Sequence, residues 1–412
     1  MEFARHHWRL AGRAIVDWNN REASNRTSHE EKERNVKNLL NGLTNPANRR
    51  SFLKKGVAAA GTATLGAGLL TNGLSPFAQD GGMEEGSGTL SKGDAALLRF
   101  AAAAEILETD FWSQYNELGG IQDKELPSGS GSPIYAAKLR NLDGDMNQYI
   151  HDNTDDEISH QAFLNAYLAS KGADTVSLEP FRTLRGSMAT GSSGKRRLTN
   201  LMELTIDTSW WTRYRSDSQN PDLNPGFKFP PAVPDLLNKA PLPAIPRTDS
   251  DLTPDDHIQA IANTAAFHFA TIEQGGSSLY PSMAQRATSA EVLRILISIG
   301  PTETMHFQTW SDKAGNAVSP PFNVTDSTNG VSFPDLSGGG EHLQPNLIMP
   351  EPCPFLSPKL PRCAVVRPTA TNGIATGVVN FLTAMGLFNG QSPEFFAFLL
   401  DLAEDADEAV RG

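Results

Sequence analysis

The chain of 412 residues has few of the residues that build cross-linked or repetitive proteins. It contains only two cysteines, too few for a disulfide scaffold or a cysteine-rich zinc fold. Its 35 glycines and 27 prolines make up about 15% of the sequence, which excludes collagen-like repeats. A chain of this length has room for two or three domains and for a core that could enclose a site.

Positive charge is scarce beyond the N-terminal region. Residues 1–78 hold 12 of the 35 basic residues but only six of the 47 acidic ones. The remaining 23 basic and 41 acidic residues give the rest of the chain a net charge of about −18. An acidic body repels phosphate backbones, so a nucleic-acid partner is not expected.

The N-terminal region contains an uncharged run, 56–78, rich in alanine, glycine and leucine. It follows Arg49 and Arg50 and then Phe52-Leu53-Lys54, a pattern that resembles the twin-arginine export motif. Residues 1–78 are therefore predicted to be a twin-arginine signal region. The resemblance implies export of the folded protein by the twin-arginine translocase, to the periplasm or the exterior.

A membrane anchor is the alternative for the same run. Its most apolar stretch, 56–70, is shorter than the roughly 20 residues that cross a bilayer. The interpretation as a signal is therefore favoured, whether or not the signal is cleaved.

The rest of the chain shows helical periodicity rather than strand alternation. Four long helices are predicted over 90–118, 135–171, 253–283 and 289–313, the last with a brief break at Gly300-Pro301. A long insertion, 172–256, separates the second helix from the third, and 195–215 within it is predicted as a helix whose Trp210 and Trp211 pack on the bundle. The predicted fold is all-α: a four-helix bundle over 90–315, followed by a proline- and glycine-rich extension, 316–412, that ends in short helices at 374–388 and after Ser392.

The second and fourth predicted helices each carry a Glu-x-x-His motif. Glu157 precedes His160, and Glu303 precedes His306, by three residues. At that spacing both side chains leave one helix face about one turn apart, so each pair can reach one metal ion. A single copy of this motif indicates little, but the helix before each copy also carries an acid in an apolar stretch.

Those two acids are Glu105 and Glu273, and each is followed seven residues later by an aromatic residue, Trp112 or Tyr280. The chain thus reads as a helix with Glu followed by a helix with Glu-x-x-His, twice over. In this outline it resembles the ferritin-like di-iron or di-manganese carboxylate bundles, over 90–171 and 253–313. The stretch from Glu273 to Tyr280 is similar to the bacterial branch that includes the desiccation-related proteins.

The resemblance implies a ligand set for two iron or manganese ions. Glu105 and Glu273 would be terminal ligands, Glu157 and Glu303 bridging ligands, and His160 and His306 would each give one nitrogen to one ion. Four carboxylates and two neutral imidazoles balance two divalent cations, and such oxygen and nitrogen donors suit iron or manganese. Glu108, one helical turn from Glu105, stays an alternative to it.

The other polar and aromatic residues have plainer interpretations. Asp155 and Asp156 are expected on a solvated acidic face rather than behind the ligands. Trp112 and Tyr280 are expected in the core, with a redox role beside the metals as the alternative. His151, His257 and His268 have no partner at ligand spacing and are expected at the surface or in the core.

Three functions fit this reading. The first is a di-metal oxidoreductase, an oxidase or catalase-like enzyme, acting on dioxygen or peroxide. The second is iron oxidation and storage, and the third is a structural or stress-protective role without catalysis. Because large insertions obstruct cage assembly, a monomer or small oligomer is expected. Cys353 and Cys363 are predicted to form a disulfide after export.

Overall fold

In a computed structural model, the described residues are 88–127, 129–213, 228–313, 323–336 and 373–409. They belong to one compact unit, 86–412. Of the described residues 61% are helical and 4% lie in strands, which confirms the all-α fold class. The signal region predicted over 1–78 and the Cys353–Cys363 pair lie outside the described residues.

Nine α-helices and four very short strands occur in the described part of the chain. In order these are α1 (Lys92–Gly119), α2 (Pro133–Leu142), α3 (Met146–Ser170), β1 (Leu184–Arg185), β2 (Arg196–Arg197), α4 (Ser209–Arg213), α5 (Asp235–Asn238), α6 (Asp255–Ala284), α7 (Ala290–Lys313), β3 (Val324–Thr325), β4 (Ser332–Phe333), α8 (Ile374–Ala384) and α9 (Pro393–Asp407). Strands β1 and β2 pair antiparallel, as do β3 and β4. Single 3-10 turns lie at Glu179–Phe181 and Asp249–Leu252.

The bundle consists of α1, α3, α6 and α7, with α1 packed along α3 and α6 along α7. Local signals set the helix starts. The Ser91 hydroxyl accepts a hydrogen bond from the Asp94 N–H and caps α1, while Asp255 and Asp256 place negative charge in the first turn of α6. The buried faces of these helices are rich in alanine and aromatic residues.

Three of the four long helices begin and end within two residues of the predicted bounds, and two details differ. The second predicted helix is two helices, because the chain is extended at Asp143 between α2 and α3. The brief break predicted at Gly300-Pro301 is wrong, since α7 is continuous through both residues. A Cβ at Gly300 would lie 2.6 Å from the Cβ of Tyr280, so this glycine lets α6 and α7 pack closely at that point.

The insertion between α3 and α6 is held to α1 by a buried carboxylate. Oδ2 of Asp110 accepts hydrogen bonds from the backbone N–H groups of Leu198 and Thr199, both at 2.9 Å, and Oδ1 accepts one from Arg182. The helix predicted over 195–215 is therefore largely wrong: these N–H groups bond to Asp110, and of the described residues 195–213 only Ser209–Arg213 are helical. Trp210 packs on Phe267 and Phe307 of the bundle, as expected.

The C-terminal extension ends in two helices that return to the bundle. Helix α9 packs on α1, and α8 packs on α9 and α6. Asp407 near the end of α9 accepts hydrogen bonds from the N–H groups of Ala375 and Thr376 at the start of α8, both at 2.9 Å. Arg286, just beyond α6, donates to the carbonyl of Asp407. These bonds fix α8 against the side of the bundle.

Candidate metal centre

Six side chains from the four bundle helices meet in the middle of the bundle. Glu105 comes from α1, Glu157 and His160 from α3, Glu273 from α6, and Glu303 and His306 from α7. The four glutamates are at most 1% exposed. Because each long helix delivers its acid at the same level, residues up to 201 positions apart in the sequence share one polar cluster in an apolar core.

The six residues form two overlapping groups of possible ligands. Glu105, Glu157, His160 and Glu303 make one group, and Glu157, Glu273, Glu303 and His306 make the other. Within each group the donor atoms all lie within 4.8 Å of one another. Glu157 and Glu303, the two carboxylates expected to bridge, are the two that the groups share. The structure thus brings together all six residues that the sequence resemblance named.

Each imidazole turns its Nδ1 toward the carboxylates. His160 Nδ1 lies 3.0 Å from Oε2 of Glu157, 3.2 Å from Oε2 of Glu105 and 3.6 Å from Oε1 of Glu303. His306 Nδ1 lies 3.3 Å from Oε1 of Glu157 and 3.4 Å from Oε2 of Glu273. Every candidate ligand therefore approaches at least one ligand from another helix.

Asp156 orients the second imidazole. Its Oδ2 lies 3.1 Å from Nε2 of His306, the ring nitrogen that points away from the cluster. A proton on Nε2 leaves Nδ1 free to act as a ligand. Asp156 is half-exposed, so the expected acidic face exists, but this carboxylate also contacts a candidate ligand.

Asn153 joins the candidate ligands of three helices. Its Nδ2 donates to Oε1 of Glu157 and to Oε1 of Glu273, each at 3.1 Å, and lies 3.2 Å from Nδ1 of His306. Its Oδ1 accepts a hydrogen bond of 2.9 Å from Nε1 of Trp310. Sequence reasoning missed Asn153, although its position four residues before Glu157 puts it on the same face of α3.

The two aromatic residues of the duplicated pattern each bond to the glutamate of the other half of the duplication. Trp112 of α1 donates from Nε1 to Oε1 of Glu273 at 3.1 Å, and Tyr280 of α6 donates its hydroxyl to Oε1 of Glu105. Both rings are buried, as expected. They also orient candidate ligands, so core packing is only part of their role.

Burial and mutual repulsion dominate the electrostatics of the cluster. Burial, together with the charge of Glu157, raises the pKa of Glu105 to about 8, and burial with the neighbouring carboxylates raises the pKa of Glu303 well above its usual range. Burial works against charging Glu157 as well, but hydrogen bonds with His160 and His306 prevail and lower its pKa. Burial disfavours the charged imidazole of His160, yet hydrogen bonds with Glu105 and Glu157 raise its pKa to about 10. Positive charge among the four glutamates would therefore stabilise their ionised forms.

Two further observations fit divalent cations. Three buried carboxylate oxygens have no hydrogen-bond partner in the described part of the chain. They are both oxygens of Glu303 and Oε2 of Glu273. Such oxygens are costly in the ionised form unless they coordinate a cation. A Cβ at Gly276 would lie 2.7 Å from Oε2 of Glu303, so a glycine there makes room for this carboxylate. The residues present thus fit metal binding between the four helices.

The alternative ligand Glu108 is not in either group. The structure brings Glu105 into the cluster, whereas Glu108 lines a small cavity beside it. Burial, followed by the charge of Glu157, raises the pKa of Glu108 well above its usual range. Burial therefore favours the neutral form of its carboxyl.

The other histidines of the described residues are buried away from the centre. His268 contacts the Tyr115 hydroxyl at 2.8 Å, and His257 contacts Asp326 at 2.7 Å. His151 lies 3.4 Å from Asp123 in a third, largely exposed group that includes Glu125. Exposed acids of this kind are common without a metal, so this group is not treated as a site.

Comparisons with known proteins agree with the geometry. Residues 93–315 match the family model described as a ferritin-like domain. The match covers more than half of the chain and includes all six candidate ligands. No curated protein and no solved structure matches the chain. In the described residues, no helix is both long and apolar enough to span a bilayer.

Proposed function

The chain belongs to the ferritin-like domain family, and from that premise we propose that it binds two iron or manganese ions and uses them in redox chemistry with dioxygen or peroxide. The observation that carries the proposal is the pair of four-residue groups that share Glu157 and Glu303. A metal pair of this kind supplies redox equivalents and open positions for an oxidant.

The protein's own residues have distinct tasks in this proposal. Glu105 and His160 would hold one ion, Glu273 and His306 the other, and Glu157 and Glu303 both. Asn153 and Asp156 position ligands, because each contacts a candidate ligand without belonging to either group. The surrounding core excludes bulk water, so only a small oxidant has access.

The direct test is metal analysis of protein purified aerobically, combined with dioxygen and peroxide consumption. We expect about two ions per chain and consumption of one oxidant. Glu303→Gln, which keeps the shape of a shared ligand and removes its charge, should reduce both. Glu291→Gln, at a half-exposed acid in the first turn of the same helix, serves as the control and should change neither.

Other results would point to the other functions. Wild-type protein that takes up no iron or manganese on reconstitution would support the structural or stress-protective role. Accumulation of many ions per chain in a large assembly would support iron storage. Sizing should instead give a monomer or small oligomer, because α8, α9 and the insertion cover the sides of the bundle.

We propose in addition that the protein is exported by the twin-arginine translocase and works in the periplasm or outside the cell. The support is the pairing of Arg49 and Arg50 with the uncharged run that follows. Replacing both arginines by lysine should hold the protein in the cytoplasm. Unchanged export of the double variant would contradict this route.

A further inference from the structure

A small cavity lies between α1, α6 and α8, beside the candidate metal centre. Its volume is about 40 Å³. Most of its wall is apolar, with Phe111 from α1, Leu279 from α6 and Phe381 and Leu382 from α8. Helix α8 belongs to the C-terminal extension, so a part of the chain outside the family match covers one side of the bundle.

The cavity reaches the candidate centre at one end and borders solvent at another. Glu105 and Tyr280 line it, and Glu105 belongs to the group of donor atoms that includes Glu157 and His160. Phe381, which also lines it, is 37% exposed. A molecule in the cavity would therefore lie next to a candidate ligand and have a short way to the surface.

Gly275 keeps part of this space open. A Cβ added there would meet no atom within 4 Å, whereas a Cβ at the neighbouring Gly276 would collide with Glu303. Glycine in a helix interior costs about 1 kcal/mol relative to alanine, and close packing does not explain it at Gly275. Gly275 lines the cavity, and the absence of a side chain there keeps the cavity larger.

Size and polarity restrict the occupant. An apolar protein cavity of roughly 150 Å³ holds benzene, so one of about 40 Å³ suits a molecule of two or three heavy atoms. Water and peroxide need several hydrogen-bond partners, and the polar wall groups are few: Glu105, already bonded to Tyr280 and His160, and Glu108. An apolar diatomic molecule fits both conditions.

We propose that this cavity is a binding site for dioxygen, which enters beside α8 and binds next to Glu105. The choice of dioxygen as the reactant rests on the proposed function, while the cavity's preference for small apolar molecules rests on its wall alone. Gly275 is then a specificity-determining residue, and α8 is a cover specific to this chain's extension.

Xenon tests the site without any need for activity, because it is apolar and small. Crystals of the full protein under xenon pressure, with and without reconstituted metal, should show one xenon atom bounded by Gly275, Leu279 and Phe381. Gly275→Leu should remove that atom and leave the metal content unchanged. Gly377→Leu is the matched control, since Gly377 lies on the exposed side of α8 and a Cβ there also meets no atom within 4 Å.

Kinetics of the metal-loaded protein then identify the reactant. Gly275→Leu should lower kcat/KM for dioxygen and leave peroxide consumption unaffected, and Gly377→Leu should change neither. Absence of xenon in the wild type, or xenon retained in Gly275→Leu, would overturn the site. Xenon bound in a protein that takes up no metal would keep the apolar site and refute the proposed function, so the two failures are distinguishable.

Discussion

The indole Nε1 of Trp112 in α1 donates a hydrogen bond of 3.1 Å to Oε1 of Glu273 in α6. Trp112 is fully buried and stacks on Phe269, with 4.8 Å between ring centroids. The bond therefore links the orientation of a candidate ligand to the aromatic core. It is one of few donors to Glu273, whose other oxygen has no hydrogen-bond partner among the described residues.

Trp112→Phe should weaken metal binding at the Glu273 end of the centre by about 10-fold or more, as loss of an orienting partner commonly does. The substitution keeps an aromatic ring and removes only the donor. Trp210→Phe is the control, because it removes a buried indole donor that bonds to Thr271 instead of a candidate ligand. Metal titrations that give equal affinities for the two variants would contradict the role of Trp112.

The glycine pair in α6 gives a second contrast. Gly276→Ala would place a Cβ 2.7 Å from Oε2 of Glu303, so this carboxylate must move out of both groups. Bound metal should fall well below the wild-type content. Gly275→Ala meets open space and should keep the metal, with a gain in helix stability of up to about 1 kcal/mol. Metal analysis and thermal unfolding of both variants check this, and equal metal contents would show that Gly276 is not needed.

The sequence predicted the six candidate ligands because their spacing within each helix is local information. A Glu-x-x-His pair shares a helix face wherever the helix packs. The partners of those ligands depend on the register between helices, so the roles of Asn153 and Gly276 were not predicted, and Asp156 was expected on a solvated face rather than in contact with His306. In the sequence Asn153 is only a polar residue within a helix. Its role depends on its contact with Glu273 of α6, which the sequence does not show.

The incorrect helix predictions have the same physical origin. Helical composition favoured 195–215, but the N–H groups of Leu198 and Thr199 bond to Asp110, about 90 residues earlier in the chain. Tertiary hydrogen bonds thus override local propensity there. At Gly300-Pro301 tertiary packing preserves a helix instead of preventing one. The two residues alone would interrupt α7, but its packing on Tyr280 keeps it continuous.

Asp110 should be a major contributor to stability. Its carboxylate is 2% exposed and accepts bonds from two backbone N–H groups and from Thr199 Oγ1 at 2.7 Å. Asp110→Asn replaces one accepting oxygen by an NH2 group that donates and removes the charge that pairs with Arg182, so a loss of about 3 kcal/mol or more in the free energy of unfolding is expected. Urea denaturation measures it.

The control for Asp110 is Asp249→Asn. Asp249 also accepts a backbone N–H and a threonine hydroxyl, both from Thr190, but it is exposed. Water can replace its bonds, so the loss should be much smaller. Equal losses in the two variants would show that burial of Asp110 is not what makes its bonds important.

The free energy of unfolding below about pH 6.5 should depend on His268. Burial lowers the pKa of this imidazole to about 3, whereas an unfolded histidine titrates near 6.5. As pH falls from about 6.5 toward 3, the unfolded chain takes up a proton that the folded chain does not. The free energy of unfolding then decreases, by at most about 1.4 kcal/mol per pH unit.

His268→Asn isolates this contribution, because asparagine can still accept the hydrogen bond from Tyr115 but does not titrate. Urea denaturation of both proteins between pH 7 and 4 should give a shallower slope for the variant. Parallel curves would mean that His268 is already protonated in the folded protein, or solvated. The carboxylates of the metal centre are common to both proteins and cancel in the difference.

The two shared carboxylates allow the most specific prediction about the centre. Glu157 and Glu303 belong to both groups of donor atoms, whereas Glu105 and Glu273 each belong to one. Losing a shared ligand should damage both ion sites at once. Glu157→Ala or Glu303→Ala should therefore reduce bound metal from two per chain toward none, and Glu105→Ala or Glu273→Ala should leave about one.

Unfolding must be separated from ligand loss in this test. Each variant removes a buried carboxylate that also bonds to its neighbours, so the fold of every metal-free variant must be compared with metal-free wild type by urea denaturation. Asp152→Ala, at an exposed acid on the same helix as Glu157, should keep both ions. If all four glutamate variants lose metal equally while remaining folded, the six side chains form one site for a single ion. If all four keep the wild-type content, the cluster is a structural feature of the bundle and the di-metal proposal fails.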